Sequence, residues 1–361
     1  MKRLLKTVRE SDSKTMVKSD MSKLKAVTKY LFIILTCASV VLMAACVIAG
    51  IAIYRSRPER KTASIWKGGG KTSYAHVAVY AKGARANGTS SPLSYVDNNS
   101  SLSLADIEDI HASLQGVIDT ASKPKKGSKD KTVKTIAWTD CYSSCLSGTV
   151  NPGSPGSGKT YEADIYAVGG SFTSMHPFEF MAGGFITSDT TDKYQVVLND
   201  VASWSMFRSY DVIGKRIGIL GKDYTVIGVV REHEDKKARV YISFDCLKEY
   251  CSGLDHPVVP AVMSYEAILP EQSSKSAKFD LAGAVPGYNN SSPSFRVVRV
   301  TGRYNVFNTL KSESPEGFEL PFWEEGAVKA ETDIKNAAVA FVFGMVMLTV
   351  LLIGKASSAK S

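Results

Sequence analysis

Few side chains in this sequence have the type and spacing to do chemistry. Gly153-Ser154-Pro155-Gly156-Ser157-Gly158-Lys159-Thr160 fits G-x-x-x-x-G-K-[ST], the spacing with which backbone amides and a lysine cradle a phosphate chain. That chemistry needs an apolar strand before the loop and a helix behind it, whose first amides and dipole hold the anion. Here SSCLSGTVNP precedes the motif and Tyr161 to Val168 alternates like a strand, so the segment reads as a flexible Gly, Ser and Pro loop. Glu232, His233, Glu234 and Asp235 could gather a cation, but the same run suits a solvated turn better. His176-Pro177 reads as an extended entry into the segment that starts at Phe178. No Ser, His and Asp set, no HExxH and no Gly-x-Ser-x-Gly stands out, so no catalytic residue, cofactor or metal site is expected, and the chain reads as a non-enzyme.

The cysteines form two short-range pairs, Cys141 with Cys145 in CYSSC and Cys246 with Cys251 in CLKEYC. In an oxidising compartment two local disulfides are favoured, with free thiols as the alternative. A zinc site fits less well, because the spacings are not CxxC and neither His233 nor His256 pairs with them. Cys37 and Cys46 lie in an apolar run and read as packing residues.

The elements that would position such groups are clearest from Phe178 to Val230. Gly183-Gly184 turns an apolar segment, Val196-Val197-Leu198 is a short buried strand, and Asn199-Asp200 caps a two-turn helix bearing Trp204 and Phe207. The helix ends near Arg208-Ser209-Tyr210. Ile217 and Ile219 then alternate as a strand, Gly221-Lys222-Asp223 turns, and Tyr224 to Val230 returns. Gly183, Gly184, Gly214 and Gly221 are expected to shape the backbone, and Trp204, Phe207, Ile217, Tyr224 and Ile227 to fill the core.

This order, a Gly-Gly-Phe, then VVLND, then DVIGKRIGILGKDYTVIGVV, resembles the extracytoplasmic core of MacB-type ABC transporter permeases, the family of the macrolide exporter and the lipoprotein-release permeases. About fifty residues carry the strong match. The resemblance implies an α+β, mixed-sheet core between membrane helices, linked to them by helical stalks that pass movement across the bilayer. It also implies an ABC ATP-binding subunit as partner, a second permease chain or a homodimer, and a membrane-component role in export or resistance. The alternative kept beside it is a membrane-anchored sensor or binding module not coupled to transport.

Two apolar runs support the same organisation. Leu31 to Tyr54 holds no charged residue over 24 positions, about 36 Å of helix against a hydrocarbon core of about 30 Å. A cleaved signal is the alternative, since Met43-Ala44-Ala45-Cys46 loosely resembles a lipobox, but Val47 to Tyr54 stays apolar beyond that site. Asn336 to Gly354 is the second run. The expected organisation is a basic cytoplasmic tail (1–30), a first span (31–54), an extracytoplasmic core (55–330), a stalk end with the second span (331–355) and a short cytoplasmic tail (356–361). The net charge of +9 over 361 residues is concentrated in residues 1–30, so it points to membrane lipid and topology, not to nucleic acid. Family members continue into a coupling segment and two further spans, whereas this sequence ends at Ser361, which leaves open a split member and a derivative no longer coupled to ATP.

Around the central unit, strands are expected at Tyr74–Ala81, Val133–Trp138, Val240–Phe244, Val258–Leu269 and Phe295–Val300. Ser103 with Asp106 forms a capping box for a helix with Leu104, Ile107, Ile110, Leu114 and Val117 on one face. From Arg55 a helical extension of the first span should give way to a loop at Gly68-Gly69-Gly70, with Trp66 at a surface or plugging the base of the core. Residues 123–131 and 271–293 read as loops, Val306 to Leu310 as a helix start, and Trp323 to Gly354 as one unbroken helix.

Overall fold

The computed structural model describes residues 2–68, 70–82, 101–123, 136–156, 158–187, 192–232, 236–273, 275–289, 294–312, 314–318 and 320–358, with the backbone alone for 2–25 and 358. It divides into two units, Met1–Ser56 with Ala330–Ser361, and Arg57–Lys329.

The first unit is helical. α1 (Lys2–Ser56) takes up the basic tail and the first apolar run in one helix, and the second part of α9 (Phe322–Ser358) carries the other run. Ala26–Ser56 and Phe322–Ser357 are both long and apolar enough to cross a membrane. They pack antiparallel: Lys355 sits over the Phe32 ring at 5.2 Å, while a Cβ on Gly344 would stand 2.9 Å from Met43 Cγ and 3.5 Å from the Ser39 carbonyl. Small residues at the contact let the two backbones approach, which is how apolar helices associate without a hydrophobic drive.

In the second unit, a 3-10 turn (Pro58–Lys61) and α2 (Thr62–Lys67) lead from Arg57 to Gly68, whose φ of 52° ends the helix. The expected helical continuation of the first span is broken, because Pro58 forces Arg57 out of the helical region to φ −99°, ψ 99°. Trp66 packs partly buried against the core, as a plug of the base would. The sheet is built from β1 (Tyr74–Ala81), β2 (Thr139–Pro152), β3 (Tyr161–Gly170), β4 (Glu179–Gly183), β5 (Gln195–Asn199), β6 (Arg216–Ile219), β7 (Lys222–Arg231), β8 (Arg239–Ser243), β9 (Ser264–Pro270) and β10 (Phe295–Arg299). Its order is β10-β1-β9-β2-β3-β8-β5-β7-β4, with β6 bridging β2 and β7. The β3–β8 and β5–β7 pairs are parallel and the others antiparallel, so the sheet is mixed. The helices are α3 (Leu104–Ser122), α4 (Phe172–Met175), α5 (Asp200–Phe207), α6 (Phe244–Ser252), α7 (Ser276–Ala284) and α8 (Val306–Thr309).

Strand alternation separates two cores. Ala75, Val77 and Val79 of β1, Ile165 and Ala167 of β3, and Val240 and Ile242 of β8 face one side, under Ile107, Ile110, Leu114 and Ile118 of α3, Met206 of α5, Leu247 of α6 and Leu281 of α7. The intervening residues face the other side, where Phe172 and Met175 cover Tyr166, Tyr241 and Ile268. Ser103 and Asp106 close the expected capping box on α3, but Ile118 takes the inward place and Val117 is 41% exposed, continuing the stripe at helical spacing. The strand expected at Val133–Trp138 is displaced: 133–135 lie outside the described residues, 136–138 are irregular, and β2 starts at Thr139. The 271–293 segment contains α7 instead of a continuous loop.

The central unit takes the expected order. The Asn199 side chain accepts from the Ala202 amide to start α5, which ends on Arg208 in the left-handed region. Leu220 and Gly221, at φ 50° and 75°, turn β6 into β7 with Ile219 opposite Lys222, a two-residue turn one step earlier than the sequence suggested. Ile217 and Tyr224 are buried, and Phe207 and Ile227 pack partly buried against the two cores. Trp204 is not core: it is 47% exposed and lies against the Tyr210 ring at 5.5 Å. α5 turns Ala202 and Met206 inward, which leaves position 204 about 200° away on the outer face.

The local disulfides do not form. Cys141 and Cys145 lie four residues apart on β2, about 13 Å along the strand, and Cys246 and Cys251 lie five apart on α6, about 7.5 Å along its axis and on different sides. A bridge needs Cα atoms about 4.4–6.8 Å apart, and all six cysteines are free. Burial pushes the Cys141 thiol well up, aided by the carboxylates of Glu266 and Asp140, and takes Cys251 to about 11, so these thiols hold little thiolate at neutral pH. Alkylation of the denatured, unreduced protein is expected to modify all six cysteines; a mass short by one pair would overturn this. Gly183, at φ 64°, has the Ile227 carbonyl 2.0 Å from where a Cβ would stand, whereas Gly221 has open space. Gly183→Ala should therefore lower the thermal midpoint far more than Gly221→Ala, whose cost is limited to about 1–2 kcal/mol of left-handed strain; equal shifts would refute the packing argument.

Candidate functional site

The motif with phosphate-loop spacing lies between β2 and β3, whose Val150 and Tyr161 pair across it. Gly153, Gly156 and Gly158 take positive φ in a strand-to-strand connection, and Lys159 lies over the Tyr161 ring at 5.1 Å. A strand does precede the loop, contrary to the sequence reading, but a strand also follows it, so no helix N-terminus faces an anion there. Of the acidic run after β7, His233, Glu234 and Asp235 lie outside the described residues. Glu232 is not in a solvated turn: its side chain is 3% exposed.

The unusual chemistry of this unit lies on the second face of the sheet, where a conventional core would be apolar. His76 and Glu266 are diagonal neighbours on β1 and β9, since His76 stands opposite Ile268 and Ala78 opposite Glu266. His76 Nε2 donates to Glu266 Oε2 at 2.8 Å, and His176 Nε2 and Trp323 Nε1 donate to Oε1 at 3.0 and 3.1 Å. The Glu266 side chain is 2% exposed. Burial alone would raise its carboxyl, but the charge and hydrogen bonds of His176 and His76 outweigh that and hold it well below the usual carboxylate range. His76 Nδ1 meets Thr62 Oγ1 at 3.0 Å, and that hydroxyl donates to the Glu59 carbonyl at 2.8 Å, which ties α2 into the same network.

A second buried carboxylate lies on the same face. Glu232 accepts from Arg239 Nη1 at 2.8 Å, from Asn199 Nδ2 at 3.0 Å and from the Tyr241 hydroxyl. Burial pushes its carboxyl up, against the lowering effect of Arg239, Tyr241 and Asn199. The Arg239 guanidinium lies 3.9 Å over the Phe322 ring.

Phe322 and Trp323 begin α9, and three consecutive side chains of its first turn are each held by a different partner. Phe322 lies under Arg239, Trp323 donates to Glu266 and packs against His176 at 4.5 Å and Tyr166 at 5.4 Å, and Glu324 forms a bidentate pair with Arg303 at 2.6 and 2.9 Å. Both members of that pair are almost fully buried. Such a pair adds geometric specificity beyond its net energy. The arrangement has no nucleophile and base poised on an open cleft. What it can do is hold the root of a helix rigidly to a sheet.

Of these groups the sequence singled out His176, Asn199, Glu232 and Trp323, and in other roles. The available signal for the rest was parity: His76, Arg239 and Glu266 occupy strand positions where burial on both faces leaves no solvated side. Among the described residues no three His, Cys, Asp or Glu side chains gather as a metal set. On the first face, Leu114, Val117, Ile118, Leu269, Pro270 and Asp280 line a groove of about 620 Å³ between α3 and α7, and burial raises the Asp280 carboxyl.

Because the folded Glu266 carboxyl is held below its unfolded value of about 4.3, the stability it contributes is present above that pH and is lost as pH falls through the folded value. Acid unfolding of the wild type should thus steepen below about pH 4, and Glu266→Gln should flatten that limb while costing about 3–5 kcal/mol at neutral pH through the loss of a buried counter-charge. Parallel acid limbs in the two proteins would remove Glu266 from this role.

The family model described as the MacB-like periplasmic core domain matches residues 33–259. Among solved structures, the chain is similar to the periplasmic region of MacB from Actinobacillus actinomycetemcomitans, with 16% identity, 66% of this chain and 94% of that one covered, and a TM-score of 0.43. It is also similar to the extracellular domain of the noncanonic ABC-type transporter YknZ from Gram-positive bacteria, with 14% identity, coverage of 62% and 100%, and a TM-score of 0.40. No curated protein matches. The matched stretch takes in more than half of the sequence, from the first apolar helix through His76, His176 and Glu232 to the end of α6, and the chain accordingly belongs to the MacB-like periplasmic core domain family.

Proposed function

We propose that this protein is the permease-type membrane component of an ABC export or resistance system, with residues 55–330 as its extracytoplasmic core and both termini cytoplasmic. It pairs with an ABC ATP-binding subunit, and a second permease chain or a second copy completes the assembly. It performs no chemistry of its own. The observation that carries this reading is the root of α9. Phe322, Trp323 and Glu324 are keyed to Arg239, Glu266 and Arg303, and the same unbroken helix continues through the apolar run to Ser358. A keyed first turn would pass displacement of the helix to the sheet instead of losing it in a loop.

The groove beside Asp280 favours the second reading, a membrane-anchored sensor or binding module, since about 620 Å³ lined by both apolar side chains and Ser113, Gln272 and Ser276 suits a small ligand. Purification of the tagged chain from native membranes distinguishes the two. The transport reading expects an ATP-binding subunit in the complex, and expects Trp323→Ala to leave ATP hydrolysis intact while export falls. Recovery of the chain alone, with function unaffected by deletion of the ATP-binding subunit, would leave the sensor reading standing.

A further inference from the structure

Among the described residues that line the groove between α3 and α7, Asp280 alone is charged. The two buried carboxylates of the sheet, Glu266 and Glu232, are each met by three donors. Asp280 is met by none among the described residues, and burial raises its carboxyl. A carboxylate drawn partly out of water without a counter-charge is costly, and such a group in a concave surface is a candidate for contact with a ligand. The charges around it leave it uncompensated. Lys278 of the same helix projects about 200° round α7 from Asp280, Lys123 and Lys275 stand at helix ends outside the lining, and Glu271 is paired with Arg299. On α3, Asp109 lies one turn ahead of Ser113, and Asp119, which Gln115 bonds, lies one residue before Thr120; both carry the same sign as Asp280.

The lining narrows the class of ligand. A calcium ion takes about six to eight oxygen ligands, and Asp280 is the single carboxylate in the groove. An anion meets repulsion there. A neutral molecule would strip the remaining water from Asp280 and return no charge. An organic amine satisfies both parts of the site, and a volume of about 620 Å³ falls within the range of about 300–1,000 Å³ usual for small-molecule sites. We propose that the groove binds a small organic amine, its ammonium paired with Asp280 and its apolar body lying on Leu114, Ile118, Leu269 and Pro270 between the two helices. Ser113 and Gln272 offer a hydroxyl and an amide to any polar group on that body. The site lies wholly within Arg57–Lys329. This inference rests on the groove being a ligand site, as in the second reading above, and not on what binding triggers.

The test uses the full chain in nanodiscs and three probes of one shape: phenylbutylamine, phenylbutanol and phenylbutyrate. Each is titrated against loaded and empty discs, the empty ones reporting partition into lipid. Calorimetry should show saturable binding of the amine to the loaded discs, about tenfold tighter than that of the alcohol, as a charged pair requires, and no binding of phenylbutyrate. Asp280→Asn, which keeps the shape of the side chain, should bring amine and alcohol to equal affinity, while Asp119→Asn on the exposed side of α3 should change neither. Val117→Trp, at an exposed position of the groove wall, should block amine and alcohol alike, with an unchanged thermal midpoint reporting that the fold is kept. Equal affinity for amine and alcohol in the wild type, both blocked by Val117→Trp, overturns the amine and leaves the groove as a ligand site. Amine binding indifferent to both Asp280→Asn and Val117→Trp lies elsewhere and overturns the proposal. No saturable binding of any probe overturns it and takes away the groove's support for the second reading as well.

Discussion

A carboxylate sealed within a sheet, without bulk water to solvate it, must take all its stabilisation from donors the fold brings to it. Glu266 receives three, from His76, His176 and Trp323. These donors come from β1, from the segment after α4 and from the first turn of α9, so the charge can be satisfied only when all three are in place. An apolar core in the same position would tolerate sliding and repacking; a hydrogen-bonded buried charge does not. The root of α9 is thus held by a directional constraint on one face of the sheet, while the other face relies on the non-directional burial of Ile110, Ile165, Val240 and their neighbours.

The division of labour between faces explains an otherwise odd composition. Arg239, Glu232, Tyr241 and Tyr166 would each be costly in a core of ordinary kind, yet they form a connected set in which Arg239 serves both a carboxylate and the Phe322 ring. Net stability from such pairs is modest, because desolvation offsets most of the attraction. What the pairs supply is register: α9 can dock in one way.

The stretch matched by the MacB-like family model takes in strands β1 to β8, the short capped helix α5 and the hairpin after it. Glu266, Arg303 and the whole of α9 lie beyond that stretch, so the contact between the sheet and the root of α9 is described by this chain's own geometry alone. The cysteines read differently in three dimensions than along the chain. Closeness in sequence suggested bridges, whereas strand and helix pitch separate the members of each pair.

Local features were legible in the residues alone. Asn199 before a short apolar run and Ser103 with Asp106 each act over a few bonds, and periodicity of two or of 3.6 marks buried faces without reference to a partner, whereas the break at Pro58 and the exact place of the turn at Leu220-Gly221 were missed. Two uncharged runs likewise declared their length and hydrophobicity. The tertiary structure alone decided which strand lies beside which, and therefore that His76 meets Glu266 across 190 residues and that Trp323 reaches the same carboxylate. It also turned Trp204 outward and separated the cysteines. The physical reason is that a buried charge is stabilised by donors from distant segments, and one chain read residue by residue contains no term for the distance between them.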